Sequence, residues 1–531
     1  MTRHRATVAV LIAATWIAWR HMIVLHSSMF WEISKEMEQP HLQKAVVARP
    51  IRVPVPQYSL FDTLSSLGAF HRDAFLFLYH PPTDEFIAIS NGSSNNNPNR
   101  IRIITPIVAR ALRLNFPHRF PSQHEFAMVL STGDMPSLKS HCLGSSSCGG
   151  STVLQFGAVY RDEKIPPMPM ISMPMHIIPH LPCYDIWQWN LFVNQTRRVC
   201  KYLLARPKTQ EAAPTHENDT VGSHGLNIDE DTAWEYLIPQ IIWRGTDFAF
   251  MGNSRRPDFA KDVAPKIGSL KGDNATRAAI EVLSKFGDKL LPRWKGILLT
   301  SQAELEARST TQQNEASAAS SARIPWVNIK FSLYRAAGSK TEPNLRAFQS
   351  VGISTIGEVI AMPSHSPYKY QIDLGGGGGT TFTGTIEKLA MPGVLFHHVT
   401  KTKDYFHDRL QDWVHYIPVR SNLSDLRENY MWAEQNAKQA KNISEQATAF
   451  MKWMGSVEGF EIMYEDHLVD PLWKCVESYQ PLKEGSTKSV LDIIKESEQL
   501  RNNFKIIANV SGLKSKWLEE TNFDWAGAFT T

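Results

Sequence analysis

Short apolar runs that end in polar loops set the rhythm of this chain. Phe126–Leu130 is such a run, followed by Ser131, Thr132, Gly133 and Asp134. Ile241–Trp243 leads into Arg244, Gly245 and Thr246, and Trp326–Phe331 alternates as a half-buried strand does. In the second half the pattern is plainer. Tyr368–Leu374 alternates and opens onto Gly375–Gly379, Thr383–Met391 has helical character, and Gly393–Val399 is strand-like. Thr402–Trp413 reads as a helix and His415–Val419 as a strand. Ser424 or Asp425 is placed to cap a further helix reaching about Ala440. Strands alternating with helices predict a parallel, doubly wound sheet. Such sheets bind ligands beyond the carboxyl ends of their strands. That rule directs attention to Asp134, Arg244 and the glycine run.

Polar stretches divide these elements. Residues 26–50 read as a stem, 91–99 as a loop, 206–231 as an exposed acidic connection, and 301–323 as a surface helix fraying into an insertion. The remaining composition is ordinary for a globular protein: 43% hydrophobic, 20% charged, 531 residues. It excludes wholesale disorder and fibrous folds. Formal net charge is +4, with no long block of like charge, so nucleic acid is not an expected partner.

The N-terminus adds a compartment. Ala6–Trp19 is uncharged and mostly apolar, after Arg3, His4 and Arg5. Extended to Leu25 it reaches the roughly 20 residues a membrane span requires, with Arg20 near the far boundary. The expected topology is a single-pass type II anchor, with a cleaved signal peptide or a buried N-terminal helix as alternatives. N-x-S/T acceptors at Asn91, Asn194, Asn218, Asn274, Asn422, Asn442 and Asn509 agree with export. Cys142, Cys148, Cys183, Cys200 and Cys475 allow at most two disulfides; Cys142 and Cys148 form the easiest short pair.

Three constellations carry candidate chemistry. Gly375–Gly379, followed by Thr380, Thr381 and Thr383 at a helix start, leaves the backbone free to approach an anion such as a diphosphate. A flexible hairpin is the plain structural alternative. The run is neither a P-loop nor a dinucleotide fingerprint. Trp243-Arg244-Gly245-Thr246 puts an arginine after a strand, able to fork onto phosphate oxygens, with Arg255 and Arg256 nearby. A carboxylate partner at the core rim is the alternative there. Asp134, in Thr132-Gly133-Asp134-Met135-Pro136, is placed to take a proton from an acceptor hydroxyl, or simply to cap a turn before proline. Other motifs fall away. Pro179 breaks the spacing of His176 and His180. His397-His398 on a strand point to opposite faces and do not form a metal pair. Asp229-Glu230-Asp231 has the D-x-D form of metal-dependent sugar transferases but no strand before it. Neither G-x-S-x-G nor C-x-x-C occurs.

Three segments together resemble glycosyltransferase family 90, which includes protein O-glucosyltransferases and capsule xylosyltransferases. They are Tyr368-Lys369-Tyr370 with the glycines and Thr381-Phe382-Thr383-Gly384; Phe406–Leu410 through Trp413–Val419 with Leu423–Leu426; and Trp243–Thr246. The resemblance covers roughly residues 120–470 and is strongest over 366–426.

It implies an α/β fold of GT-B type, with two Rossmann-like lobes and a cleft between them. The expected divisions are 1–25 for the cytosolic tail and anchor, 26–50 for the stem and 51–235 for the acceptor lobe. Residues 236–470 would form the nucleotide-sugar lobe and 471–531 a helical tail. The resemblance also implies inverting transfer of a sugar, glucose or xylose, from a UDP-sugar to a hydroxyl of a protein or polysaccharide. By analogy Asp134 is the catalytic base. The donor would meet Trp243, Arg244, Gly245, Thr246, Arg255, Arg256, Tyr368, Lys369, Tyr370, Gly378, Gly379, Thr380, Thr381, Phe382, Thr383 and Glu387. Tyr184, Asp185 and Trp187 would shape the acceptor side. No metal or other cofactor is expected.

Two arginines of the family pattern are replaced, one by Thr385 and one near Asp247. They raise the alternative of an inactive relative that binds nucleotide-sugar or glycan. The chain ends Ala528-Phe529-Thr530-Thr531, with no retrieval signal. The expected place is therefore the membrane of the Golgi or endoplasmic reticulum, with the catalytic part lumenal.

Overall fold

The structure is a computed structural model. It describes residues 57–69, 74–90, 98–131, 153–155, 158–159, 171–172, 234–235, 237–248, 250, 255–314, 324–332, 341–360, 362–376, 384–400, 402–403, 406–454, 459, 462–463, 465–483, 488–502 and 504–511. The chain divides into two compact units, Met1–Pro54 and Val55–Thr531, and every described residue belongs to the second. The expected anchor, stem and loops at 91–97 and 206–231 lie outside the described residues, as do all the cysteines except Cys475. Among the described residues no helix is long and apolar enough to cross a membrane.

The first strands are β1 (Tyr58–Ser59), β2 (Ala74–His80), β3 (Glu85–Ser90), β4 (Phe126–Ser131), β5 (Val153–Gln155), β6 (Ala158–Val159) and β7 (Ile171–Ser172). Helix α1 (Leu60–Ala69) starts at a reciprocal cap: the Ser59 amide donates to the Asp62 carboxylate, and the Asp62 amide to Ser59 Oγ. Helix α2 (Pro98–Asn115) opens on a proline, whose missing N–H has no partner to lose at that position.

Next come β8 (Ile238–Gly245), α3 (Gly272–Ser284), α4 (Pro292–Asn314), β9 (Val327–Phe331), α5 (Thr341–Ser350), β10 (Tyr368–Asp373) and α6 (Gly384–Leu389). They are followed by β11 (Val394–His398), β12 (Thr402–Lys403), β13 (Ile417–Val419), α7 (Leu426–Gln435) and α8 (Ala437–Met454). The chain closes with α9 (Asp470–Ser478), β14 (Tyr479–Gln480), α10 (Val490–Glu496) and β15 (Lys505–Ser511).

Two large sheets result. One runs β13-β11-β10-β8-β9 with every pair parallel, as the alternation of strands and helices predicts. Its central strands are buried on both faces: Ile241, Ile329, Ile372, Phe396 and Ile417 lie on one, and Ile242, Gln371 and Leu395 on the other. Trp294 of α4 packs edge-on against Phe331 and Phe348, with ring centroids 5.6 and 4.9 Å apart. In chain order the strands stand second, first, third, fourth, fifth. The direction of winding therefore reverses between β8 and β10.

The other sheet is mixed, with β4, β5 and β7 running parallel to one another. Its order is β15-β3-β2-β4-β5-β7, and β2 pairs antiparallel with both neighbours. The link from β2 to β3 is the single turn Pro81–Thr83 plus Asp84, far too short for the crossover a parallel pair requires. Asp84 adopts φ 50° there, held by the Tyr79 hydroxyl at 2.8 Å and an Arg113 ion pair at 2.9 Å. The stretch expected as a helical tail supplies β15 to this sheet and β14 to β1, beside the helices α9 and α10. Glu125 anchors it, accepting from the Tyr479 hydroxyl at 3.2 Å and the Leu482 amide at 2.6 Å.

Three smaller expectations change. Thr402–Trp413 is not a helix. Thr402-Lys403 pairs antiparallel with Val159-Ala158, His407–Arg409 is one tight turn, and Trp413 stands at φ 61°. The sheet offers Thr402 a β partner, and the β-branched residue takes it. The helix from Asp425 stops at Gln435, and α8 restarts beyond Asn436. The 301–323 helix begins at Pro292, with Thr300 and Ser301 buried rather than at the surface.

Phe86 shows how the first core is held. Its ring meets Phe77, Tyr79 and Phe120 at 5.3, 5.0 and 5.3 Å, with Arg113 over its face. Phe86→Ala should lower unfolding free energy by about 3–5 kcal/mol, read by denaturant titration.

Candidate active site

The carboxyl ends of β8 and β10 flank the switch point, and a buried arginine ties them together. Arg293, at the start of α4, donates to the Thr246 carbonyl at 2.6 Å and to the Leu374 carbonyl at 3.0 Å. Its guanidinium lies over the Trp243 ring, 5.2 Å from the centroid. Burial pulls its pKa down to about 10, and Asp247 opposes the shift, so the group stays charged at neutral pH. Trp243 folds its six-membered ring over Gly245. Any Cβ at Gly245 would collide with it, so the position needs glycine.

Asp247 follows directly and is only 3% exposed. It accepts from Trp294 Nε1 at 3.2 Å and lies 3.6 Å from Arg256 Nε. Burial raises its pKa from 3.8 to about 6, against Arg256, the Trp294 bond and Arg293.

Across the switch point Asp373 is fully buried. It accepts from His397 Nδ1 at 2.8 Å, Thr385 Oγ1 at 2.5 Å and the His398 amide at 2.8 Å. Burial works against its charge. His397, Lys388 and Thr385 outweigh burial and hold the carboxyl below its usual range. The residue thus stitches β10 to β11 and α6.

His398 is a neutral link. The Gly375 amide donates to its Nδ1 at 3.1 Å, so Nε2 carries the proton and donates to the Ser421 carbonyl at 2.9 Å. Burial drives its pKa to about 4, so the imidazole stays uncharged at neutral pH. The start of the glycine run is thereby connected to the loop after β13. Beyond the ends of β11 and β13 lies an open cavity of about 750 Å³, walled by Val399, Thr400, Trp413, Ser421 and Asn422 among others.

The structure distributes the expected donor residues unevenly. Trp243, Gly245, Thr246 and Arg256 gather at this edge. Arg244 sits on the strand with Nη1 donating to the Trp243 and Asn328 carbonyls, both at 2.8 Å, while its buried Nε has no hydrogen-bond partner. Arg255 turns to Asp262 at 2.5 Å and over the Phe286 ring. Tyr370 donates to Glu434 at 2.5 Å, and Lys369 lies 3.6 Å from the same carboxylate, so both fasten α7 to β10. Tyr368 opens β10 at the opposite end of the strand, with its pKa raised by burial. Glu387 is half-buried on α6. Asp134, Tyr184, Asp185, Trp187, Gly378, Gly379, Thr380, Thr381, Phe382 and Thr383 lie outside the described residues.

Sequence reasoning missed Arg293, Asp373 and Lys388, and gave His398 no role. Arg293 had one signal, its place beside Pro292 at a helix start. The others gain meaning only from pairing across strands. Among the described residues no group of His, Cys, Asp and Glu has the geometry to hold a metal ion.

The Asp247 shift has a defined sign. Its folded pKa lies above the unfolded value, so its contribution is fully present below pH 4 and is lost as pH rises through about 6. Asp247→Asn keeps an acceptor for Trp294 and lacks that loss. The variant should match wild type near pH 4 and exceed it at pH 7.5, by up to about 3 kcal/mol, in melts run across the range.

Residues 352–496 match the family described as glycosyl transferase family 90. A protein O-glucosyltransferase 2 of Danio rerio is 39% identical over 83 residues, covering 14% of this chain and 15% of that protein. A protein O-glucosyltransferase 3 of Homo sapiens is 31% identical over 85 residues, covering 15% of each. A protein O-glucosyltransferase 1 of Homo sapiens is 29% identical over 94 residues, covering 18% of this chain and 23% of that protein. The chain thus spans less than a quarter of the length of each of these relatives. The matched family stretch holds β10, the glycine run, Asp373, α6 and β11. Trp243–Asp247 and Arg293 lie before it, and the parallel sheet brings them to the same edge. Over residues 352–496 the chain therefore carries a domain of glycosyltransferase family 90.

Proposed function

We propose that the chain is an inverting glycosyltransferase of the secretory pathway, moving glucose or xylose from a UDP-sugar to a hydroxyl of a protein or glycan. One observation carries the reading. The matched stretch continues from the carboxyl end of β10 into the glycine run, across the switch point from Thr246 and Asp247, which follow β8. That crevice is where a parallel sheet of this order receives a nucleotide.

In this reading Asp134 takes the proton from the acceptor hydroxyl as its oxygen attacks the anomeric carbon. The departing diphosphate is met by backbone amides of Gly378 and Gly379, hydroxyls of Thr380, Thr381 and Thr383, and the cations at the edge. Arg293 and Arg256 stand there, and Arg244 lies on β8. Protein groups rather than a metal balance the leaving group. Tyr184, Asp185 and Trp187 line the acceptor side. Asn274, Asn442 and Asn509 are exposed, which supports glycan attachment in a lumen behind an N-terminal anchor.

Thr385, standing where the family pattern has an arginine, and Asp247, close to the position of a second, favour another reading: a relative that binds the donor without transferring it. UDP release separates the two. With UDP-glucose or UDP-xylose and a chelator present, wild type should release UDP. Asp134→Asn should be slower by roughly 10²–10⁴-fold. Donor binding without release from any UDP-sugar would establish the second reading, and loss of release in chelator would reject the metal-free mechanism.

A further inference from the structure

The proposed diphosphate site sets carboxylates among its arginines. Asp247 and Asp373 are acidic groups at the same edge, and Thr385 stands in place of a family arginine. Lys388 lies three residues further along α6, on the face that carries Thr385. It is 4% exposed. Its chain folds back toward the start of the helix, as long side chains on helices do. A Cβ on Gly384 would lie 3.1 Å from its Nζ, so the glycine leaves room for the ammonium.

The charged groups around Lys388 are Asp373, Glu387 and Arg293. Among the described residues Lys388 makes no ion pair. The Asp373 oxygens are already taken by His397, Thr385 and the His398 amide. Burial lowers the lysine's pKa, while Asp373 and Glu387 pull it back up. A buried ammonium with no carboxylate against it destabilises a fold. It is retained beside Arg293, which already joins the two strand ends of the switch point.

Resting on the function proposed above, we infer that Lys388 is a donor-binding residue. Its ammonium holds a phosphate oxygen of the nucleoside diphosphate and restores, one turn along α6, the cation missing at Thr385. Lysine suits this role because it reaches as a point charge and needs no bidentate geometry.

The test titrates UDP, and uridine as a probe lacking phosphate, into the full chain and into Lys388→Met and Lys388→Arg by calorimetry, with melting temperatures alongside. Lys388→Met should bind UDP roughly ten- to a hundredfold more weakly, with uridine binding unchanged and a melting temperature equal to or above wild type. Lys388→Arg should recover most of the UDP affinity. Unchanged UDP affinity in Lys388→Met overturns the inference and leaves the proposed function standing. So does a parallel loss of uridine binding and melting temperature, which marks a structural lysine. Absence of UDP binding to wild type overturns both.

Discussion

Arg293 is the contact on which the candidate site depends. Two parallel strands that part at a switch point leave carbonyls facing the crevice. Here one guanidinium closes that gap by donating to a carbonyl beyond each strand end, at Thr246 and Leu374. It does so while buried, over an indole, with Asp247 nearby to favour its charge. A lysine could not reproduce this arrangement, because the two bonds need a planar fork. The glycine run leaves the sheet next to this clamp, so the clamp sets where its backbone amides begin.

The same edge holds an uncommon density of buried ionisable groups. Two are carboxylates shifted in opposite directions: Asp247 upward by burial, and Asp373 downward by its bonded partners. His398 is held neutral in one tautomer, and so acts as a spacer rather than a charge. These groups bond to neighbours on β10, β11, α4 and α6, so their side chains are fixed in place. Asp247 weakens the fold locally at neutral pH, because burial disfavours its charge.

Several parts of this were legible in the residues. The strands at Phe126–Ser131, Ile238–Gly245, Val327–Phe331, Tyr368–Asp373 and Val394–His398 announce themselves by apolar runs ending in glycine or polar residues. The parallel arrangement followed from their alternation with helices. The first sheet was not legible in the same way, because its edge strand arrives from residues 505–511. Periodicity reports which face of a strand is apolar; it does not report a partner more than 400 positions away. Thr402–Trp413 was misread for a related reason: its pairing with Val159-Ala158 overrides a weak local helical pattern.

For the site, the sequence determined the chemistry available at the carboxyl edge. Trp243–Thr246, the glycines and the family resemblance are all local patterns, and local patterns survive without coordinates. It did not determine which side chains face the crevice. Tyr370 and Lys369 turned out to hold α7 through Glu434, and Arg255 turned to Asp262. Arg293, Asp373 and Lys388 are instead charged groups buried beside the strand ends. Only the tertiary structure decided this, because a buried charge is defined by what lies within a few ångströms of it. Those neighbours come from different strands and helices, assembled by the order in which the sheet is wound.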